Sequence, residues 1–175
     1  MRQFIKITSG IFRGRSISTP GGKTHPMGER ERLALFNMIS KYLPGAVVLD
    51  AYAGSGALGI EAMSRGANRA VFVDKSADAV RTIEKNLDVL GIQESCEVKK
   101  SSILEADNLG SFDVVLADPP YDNFKLTEVE HSVQFVKDGG VLILSHPGDA
   151  PELPGMSLEK SRKYAGATIS IFVKQ

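Results

Sequence analysis

A short apolar run, Ala46-Val47-Val48-Leu49, ends in Asp50 and passes at once into Ala51-Tyr52-Ala53-Gly54-Ser55-Gly56-Ala57-Leu58-Gly59. No other stretch narrows the fold as much. An apolar run of this length, bounded by glycine, reads as a buried strand. The glycines permit a tight turn, close approach of a ligand, and a helix packed hard on the strand. Strand, glycine turn and helix in that order open a βαβ unit. The alternation continues down the chain. Strands are expected at 46–50, 70–74, 95–99, 112–117 and 140–145, with helices at 57–65, 76–90 and 125–137 and a short turn or helix after Ser101. That pattern predicts an α/β fold with a doubly wound, mostly parallel sheet. Ser76 is placed to cap the second of those helices and Gly91 to stop it.

The flanks add to this frame. A helix is expected over Glu29–Tyr42, with apolar Leu33, Phe36, Met38, Ile39 and Leu43, stopped by Pro44-Gly45. A short β arm over residues 3–19 leaves through Thr19-Pro20-Gly21-Gly22. Segments 156–163 and 167–174, joined by a turn at Ala165-Gly166, read as a C-terminal antiparallel hairpin. The expectation is one domain over residues 1–175, with a basic arm at 1–24 and a core at 25–175.

A second segment, Asp118-Pro119-Pro120-Tyr121, follows the apolar run Val114–Ala117. Ligands of open α/β sheets bind beyond the carboxyl ends of the strands, so this loop and the glycine loop are expected on one crevice. The glycine spacing alone also fits a nicotinamide dinucleotide, with Asp74 twenty residues beyond Gly54. Asp50 argues otherwise. A carboxylate at the strand tip repels a pyrophosphate, whereas the α-ammonium and sulfonium of S-adenosylmethionine favour one. Asp74, at the end of Ala70–Asp74, can accept hydrogen bonds from ribose hydroxyls.

The Asp-Pro-Pro-Tyr loop suits a planar amine. Two prolines fix φ twice and remove two donors, leaving stiff, free carbonyl oxygens. A nucleobase amine is a poor nucleophile because its lone pair is delocalised into the ring. The Asp118 carboxylate and the Pro119 carbonyl can each accept one N–H, holding the nitrogen in an attacking orientation. Such orientation is worth roughly 7–11 kcal/mol at its ideal limit. Tyr121 offers a face on which a base can stack.

Taken together these residues resemble a class I S-adenosylmethionine-dependent methyltransferase, and within that class the RsmD family. Arg13-Gly14-Arg15, Ala34-Leu35-Phe36-Asn37, Leu58–Ala67 and Tyr164–Thr168 are similar to family signatures, so the likeness runs nearly the whole length. The resemblance implies a Rossmann-like fold and methyl transfer to the exocyclic N2 of a guanine in bacterial small-subunit ribosomal RNA. It implies Asp118, Pro119, Pro120 and Tyr121 as the catalytic loop, and Asp50, Ala53, Gly54, Ser55, Gly56, Asp74, Lys75, Ser102 and Ile103 around the cofactor. For RNA it implies Arg13, Arg15, His25 and Arg65, with Glu61 supporting the methionine end of the cofactor. Glu61 and Arg65 lie one helical turn apart, so a plain ion pair is the competing reading. Three positions depart from the family pattern. Thr24-His25-Pro26-Met27 stands where Thr-Arg-Pro-Thr is usual, Ser102 where an acid is usual, and Ser145 where a glutamate is frequent.

Composition sets the remaining bounds. The chain has 175 residues, 42% hydrophobic, enough for one full core. It has no run of ~20 apolar residues and no secretory leader pattern, so a cytoplasmic protein away from membranes is expected. The single Cys96 reads as a buried thiol, and His25, His131 and His146 are scattered, so no metal site is expected. Net charge is zero, but residues 1–41 carry a balance of +6 and the rest −6. A basic arm on an acidic body suits local phosphate contact. The expected partner is ribosomal RNA or the small subunit, met by a monomer. Three rivals share much of the pattern: a DNA adenine-N6 methyltransferase, a nicotinamide dehydrogenase on a similar sheet, and a catalytically degenerate methyltransferase fold that binds RNA during ribosome assembly.

Overall fold

The computed structural model describes residues 3–21 and 27–175, so His25 and the rest of the 22–26 segment lie outside the described residues. Seven strands form one sheet in the order β5-β4-β3-β6-β7-β9-β8. Its centre is β3 (Val47–Asp50), parallel to β4 (Arg69–Asp74) on one side and to β6 (Phe112–Ala117) on the other. These strands are nearly continuous Val, Leu, Phe and Ala because both of their faces are covered. Val48 packs into one apolar layer and Leu49 into the other. The outer strands are β5 (Cys96–Lys100), β7 (Val136–His146), and the antiparallel pair β8 (Met156–Tyr164) and β9 (Ala167–Lys174). The antiparallel C-terminal hairpin is therefore present.

Helices α1 (Glu29–Met38), α2 (Ala57–Ser64) and α3 (Ala77–Leu90) supply the first layer, and α4 (Leu126–Ser132) packs into the second. In α3, Ala79, Ile83, Leu87 and Leu90 recur every three or four residues and are buried. Each such Leu or Ile contributes about 1.5–3 kcal/mol by leaving water. The Ser76 hydroxyl accepts a hydrogen bond from the Ala79 N–H at 3.3 Å, and the helix ends at Gly91, as the sequence predicts.

Two elements are shorter than expected. The α1 helix stops at Met38 and continues as a tight 3-10 turn over Ser40–Tyr42. The helix expected over 125–137 ends at Ser132, followed by a 3-10 turn over Val133–Phe135 and then β7. Val136 already pairs with Phe112, and the register slips around Gly139 and Gly140 before Val114 meets Val141. Strand pairing thus claims the residues that helical periodicity assigned to α4.

The N-terminal arm is a small antiparallel ladder, β1 (Phe4–Lys6) with β2 (Ser16–Ser18), and Ile5 lies opposite Ile17. Buried Ile7 and Ile17 join the α1–α3 layer, so the arm is part of the core rather than a free tail. Among the described residues no helix is long and apolar enough to cross a membrane.

Candidate active site

The winding of the sheet reverses between β3 and β6. A cavity of about 800 Å³ opens at the carboxyl ends of those strands, within the ~300–1,000 Å³ range of small-molecule sites. The loop after β3 (Ala51–Ser55), the tip of β4 (Asp74, Lys75) and the loop after β5 (Ser101–Ile103) line it. So do the loop after β6 (Asp118–Asn123), Ser145 at the end of β7 and the β8–β9 turn (Ala165–Ala167). The start of α1 closes one side with Met27, Gly28, Glu31 and Arg32. Ala53, Gly54, Ser55, Asp74, Lys75, Ser102, Ile103 and the whole Asp118–Tyr121 loop, all expected from sequence, therefore meet on one cavity.

Asp74 fixes the glycine loop. Its Oδ2 accepts the Gly54 N–H and its Oδ1 the Ser76 N–H, each at 2.8 Å. Gly54 sits at φ 55°, in the left-handed region where a side chain is disfavoured. Gly59 has a different reason. A Cβ there would lie 2.3 Å from the Phe72 ring of β4, so only glycine lets α2 seat on the sheet.

Asp50 lies apart from the cavity lining. It is 1% exposed, its Oδ2 accepts the Gly59 N–H at 2.8 Å, and its Oδ1 has no hydrogen-bond partner. Burial pushes its carboxyl up to about 7 against the Gly59 bond, and the nearby Asp118 and Asp74 charges add to the rise. Gly56 is also outside the lining; it caps α2 beneath the loop, against Ile60 and Ile83.

At the other wall, burial raises the Asp118 carboxyl to about 6, partly offset by the nearby Ser145 hydroxyl. The Tyr121 hydroxyl bonds to that same Ser145 hydroxyl. Burial raises the Tyr121 phenol, the Ser145 bond lowers it, and the Asp118 charge raises it again. Ser102 lines the cavity with its hydroxyl turned to Glu105 Oε2 at 3.1 Å, and Ile103, 2% exposed, supplies an apolar surface.

The helix pair Glu61 and Arg65 differs most from its functional expectation. Glu61 is fully buried and does not line the cavity. Its carboxylate accepts the Thr8 N–H (2.9 Å), the Thr8 hydroxyl (2.6 Å), the Ser9 N–H (3.0 Å) and Arg65 Nε (2.9 Å). Arg32 Nε stands 3.7 Å away. Arg65 also donates to Thr8 and Asn37 and stacks over Phe36, so its guanidinium faces the protein. These groups clasp the arm to α1 and α2. Arg15 donates to the Val89 carbonyl at 2.7 Å and stacks over Phe12, while Arg13 is exposed.

Sequence reasoning passed over Tyr52, Glu128 and Arg32 as cavity residues. The Tyr52 hydroxyl donates to Glu128 Oε2 at 3.3 Å, and burial raises its phenol, keeping it a neutral donor. Arg32 carried a usable signal. It shares the face of Leu35 and Phe36 at helical spacing, which puts a cation on a buried stripe. Its guanidinium is satisfied by the Lys6 carbonyl at 2.7 Å and the Met27 carbonyl at 3.1 Å. Among the described residues no group of three or more His, Cys, Asp or Glu side chains is placed to hold a metal ion.

The chain has relatives across bacteria. The family model described as Conserved hypothetical protein 95 matches residues 5–173. YlbH of Bacillus subtilis, named as an rRNA methyltransferase, is 30% identical over 98% of this chain and 100% of its own. Ribosomal RNA small subunit methyltransferase D of Haemophilus influenzae is 35% identical over 71% of this chain and 67% of its own. Among solved structures, that of Escherichia coli yhhF, named as a methyltransferase, matches with a TM-score of 0.87 at 26% identity, covering 99% of each chain.

Proposed function

The chain belongs to the RsmD-like methyltransferase family, and we propose that it transfers a methyl group from S-adenosylmethionine to the exocyclic N2 of a guanine in small-subunit ribosomal RNA. One observation carries the reading. The Asp118–Tyr121 loop and the Asp74-anchored glycine loop open onto the same cavity, in a family whose relatives are named for ribosomal RNA methylation.

The residues fit that cofactor. Asp50 has a buried, unpartnered oxygen one residue below the lining loop, which a cationic ligand would stabilise as the anion. Asp74 keeps lone pairs free beside the cavity for ribose hydroxyls. Ile103 and Leu58 supply apolar surface. When bound, S-adenosylmethionine supplies the methyl group, whose carbon passes from sulfur to the amine nitrogen.

The chain's own residues do the rest. A guanine must leave its stack to enter, and Tyr121 gives its ring a face to stack on. Asp118 and the Pro119 carbonyl accept the two amine N–H bonds and orient the nitrogen. Asp118, raised to about 6, is largely ionised at neutral pH yet basic enough to take the proton that the methylated nitrogen sheds. We place the protein in the cytoplasm, acting as a monomer on ribosomal RNA or the small subunit. The test is to incubate it with labelled S-adenosylmethionine and unmethylated small subunits and map the label. Transfer to a guanine N2 supports the reading; label on DNA adenine, or none on RNA, defeats it.

A further inference from the structure

Beside the cavity lies a second hollow, of about 400 Å³, between β1 and the start of α1. β1 pairs only with β2, so its other edge is free to face α1. The Lys6 carbonyl accepts a hydrogen bond from Arg32 Nη2 at 2.7 Å, which ties the two walls together. Met27, Gly28 and Arg32 line both the hollow and the cavity, so the two spaces are neighbours parted by shared residues. The arm reaches both. Phe4 of the hollow lies opposite Ser18 in the ladder, and Thr19, one residue on, lines the cavity.

Packing does not account for Phe4. Residues two apart in a strand share a face, and β1 turns Ile5 to the core and Phe4 and Lys6 outward. Phe4 is 69% exposed. Lys6 is exposed beside it, and among the described residues no carboxylate pairs with its ammonium. A flat apolar face next to a cation is how proteins hold an unpaired nucleotide, the base stacked and the phosphate paired. Glu29 also lines the hollow. A carboxylate there repels a phosphate but can accept a base N–H, so the hollow suits the base and leaves the phosphate to Lys6.

We propose that this hollow is a subsite for an unpaired nucleotide next to the target guanine, its base stacked on Phe4 and its phosphate paired with Lys6. The identity of the occupant rests on the ribosomal RNA reading. Residues 1–28 hold five Lys or Arg and no acid, which suits a polyanion rather than a second copy of a chain whose net charge is zero. A guanine drawn out of its stack leaves its neighbour unstacked as well. A hollow that shares a wall with the cavity is where that neighbour arrives.

The chain contains no tryptophan, so Phe4→Trp places a single indole reporter on the hollow. Its emission is followed as small-subunit RNA is added, and a base stacked on the indole quenches it. Affinity for the same RNA is measured across a salt series for wild type, Phe4→Trp, Phe4→Ala, Phe4→Leu and Lys6→Ala. Phe4→Ala and Phe4→Leu lose affinity by roughly tenfold to a hundredfold, the range for one base stacked on an aromatic ring. Their salt slope stays at the wild-type value, because a stack releases no counterion. Lys6→Ala flattens the slope by about one unit. Phe4→Trp binds at least as tightly as wild type. S-adenosylmethionine affinity by calorimetry, which also reports folding, is the same in all five proteins. Unquenched emission in Phe4→Trp, or wild-type affinity in Phe4→Ala or Phe4→Leu, overturns the subsite. So does a wild-type dimer in sedimentation that Phe4→Ala dissociates, which gives the face to a second copy. Weakened RNA binding in Phe4→Ala with no methyl transfer by the wild type defeats the methyltransferase reading and leaves the subsite standing. Methylation by the wild type with unchanged RNA binding in Phe4→Ala defeats the subsite alone.

Discussion

The Gly59 N–H donates to one oxygen of Asp50 at 2.8 Å, and the other oxygen of that carboxyl is buried with no partner. This half-satisfied acid sits at the tip of the central strand, and burial raises it to about 7.

That raised value fixes a sign for stability. A carboxyl whose folded pKa lies above its unfolded 3.8 binds its proton more tightly in the fold. Its stabilisation is complete below the unfolded value and disappears as pH rises through the folded one. Asp118, raised to about 6, acts in the same direction. His146, lowered from its usual value by burial, opposes these two carboxyls in the same window as a single group. Asp113 is lowered by the Val47 N–H and Lys137, Asp149 by Lys163, and Glu159 by Lys41 and Tyr42, and these matter at more acid pH. The free protein should therefore melt at a higher temperature at pH 5 than at pH 8. Asp50→Asn, which keeps an acceptor for Gly59, should flatten that slope and be the more stable protein at pH 8. Calorimetric melts across pH 5–8 check this, and a slope identical in the two proteins would remove Asp50 as its source.

Asp74 and Asp118 should separate ligand binding from chemistry. Asp74→Ala leaves the part-buried Gly54 N–H without its acceptor, at up to about 1–3 kcal/mol for a buried group unpaired, while the exposed Ser76 N–H turns to water. It should weaken S-adenosylmethionine binding. Asp118→Ala should leave that affinity close to wild type while slowing methylation by roughly two to four orders of magnitude. Calorimetry and single-turnover assays on both variants decide the matter. Near-normal turnover in Asp118→Ala would remove the amine-holding role, and unchanged affinity in Asp74→Ala would take Asp74 out of the cofactor site.

Glu61 should behave as a structural clasp. Its carboxylate faces Arg32 and Arg65, whose side chains are 2% and 10% exposed. Removing one partner from a buried ionic cluster costs about 3–5 kcal/mol, because the remaining charges are left uncompensated. Glu61→Ala should lose stability on that scale in denaturant titration and expose the arm to limited proteolysis. A loss below about 1 kcal/mol, the size of an exposed pair, would show that the clasp is solvated.

The core architecture was legible because the sequence pattern and the packing agree. Buried parallel strands need unbroken apolar runs, and Ala46–Leu49 and Val114–Ala117 are such runs. Both loops that begin where those runs end turn up on one cavity, as strand-end geometry requires. Glu61 and Arg65 were harder. Their spacing is equally that of a solvated pair, a site or a clasp, and only the seating of Thr8 and Ser9 on α2 separates these. Arg32 was passed over because a cation on an apolar stripe looks like noise until the Lys6 and Met27 carbonyls are seen to receive it. Ser145 stood out only as a departure from a family pattern. Its link to Tyr121 crosses 24 residues of chain and has no local signature.

The arm offers the last prediction. The structure turns Arg65 inward and holds Arg15 partly to the Val89 carbonyl, while Arg13 projects from the turn between β1 and β2. Residues 1–28 hold five Lys or Arg and no acid, so no carboxylate within the arm neutralises them. Contact with phosphates releases counterions in proportion to the charges paired. Replacing Arg13 and Arg15 with alanine should therefore weaken binding to small-subunit RNA and flatten the slope of log K against log salt by about one unit for each phosphate no longer neutralised. Arg13 should account for more of the change than Arg15, whose guanidinium must first give up its carbonyl. Arg65→Ala should leave the slope untouched, and S-adenosylmethionine affinity should be the same in all three proteins. Binding measured across a salt series settles it. An equal slope in wild type and the double variant would make the arm a solvated hairpin held by Glu61, with the RNA phosphates met elsewhere on the molecule.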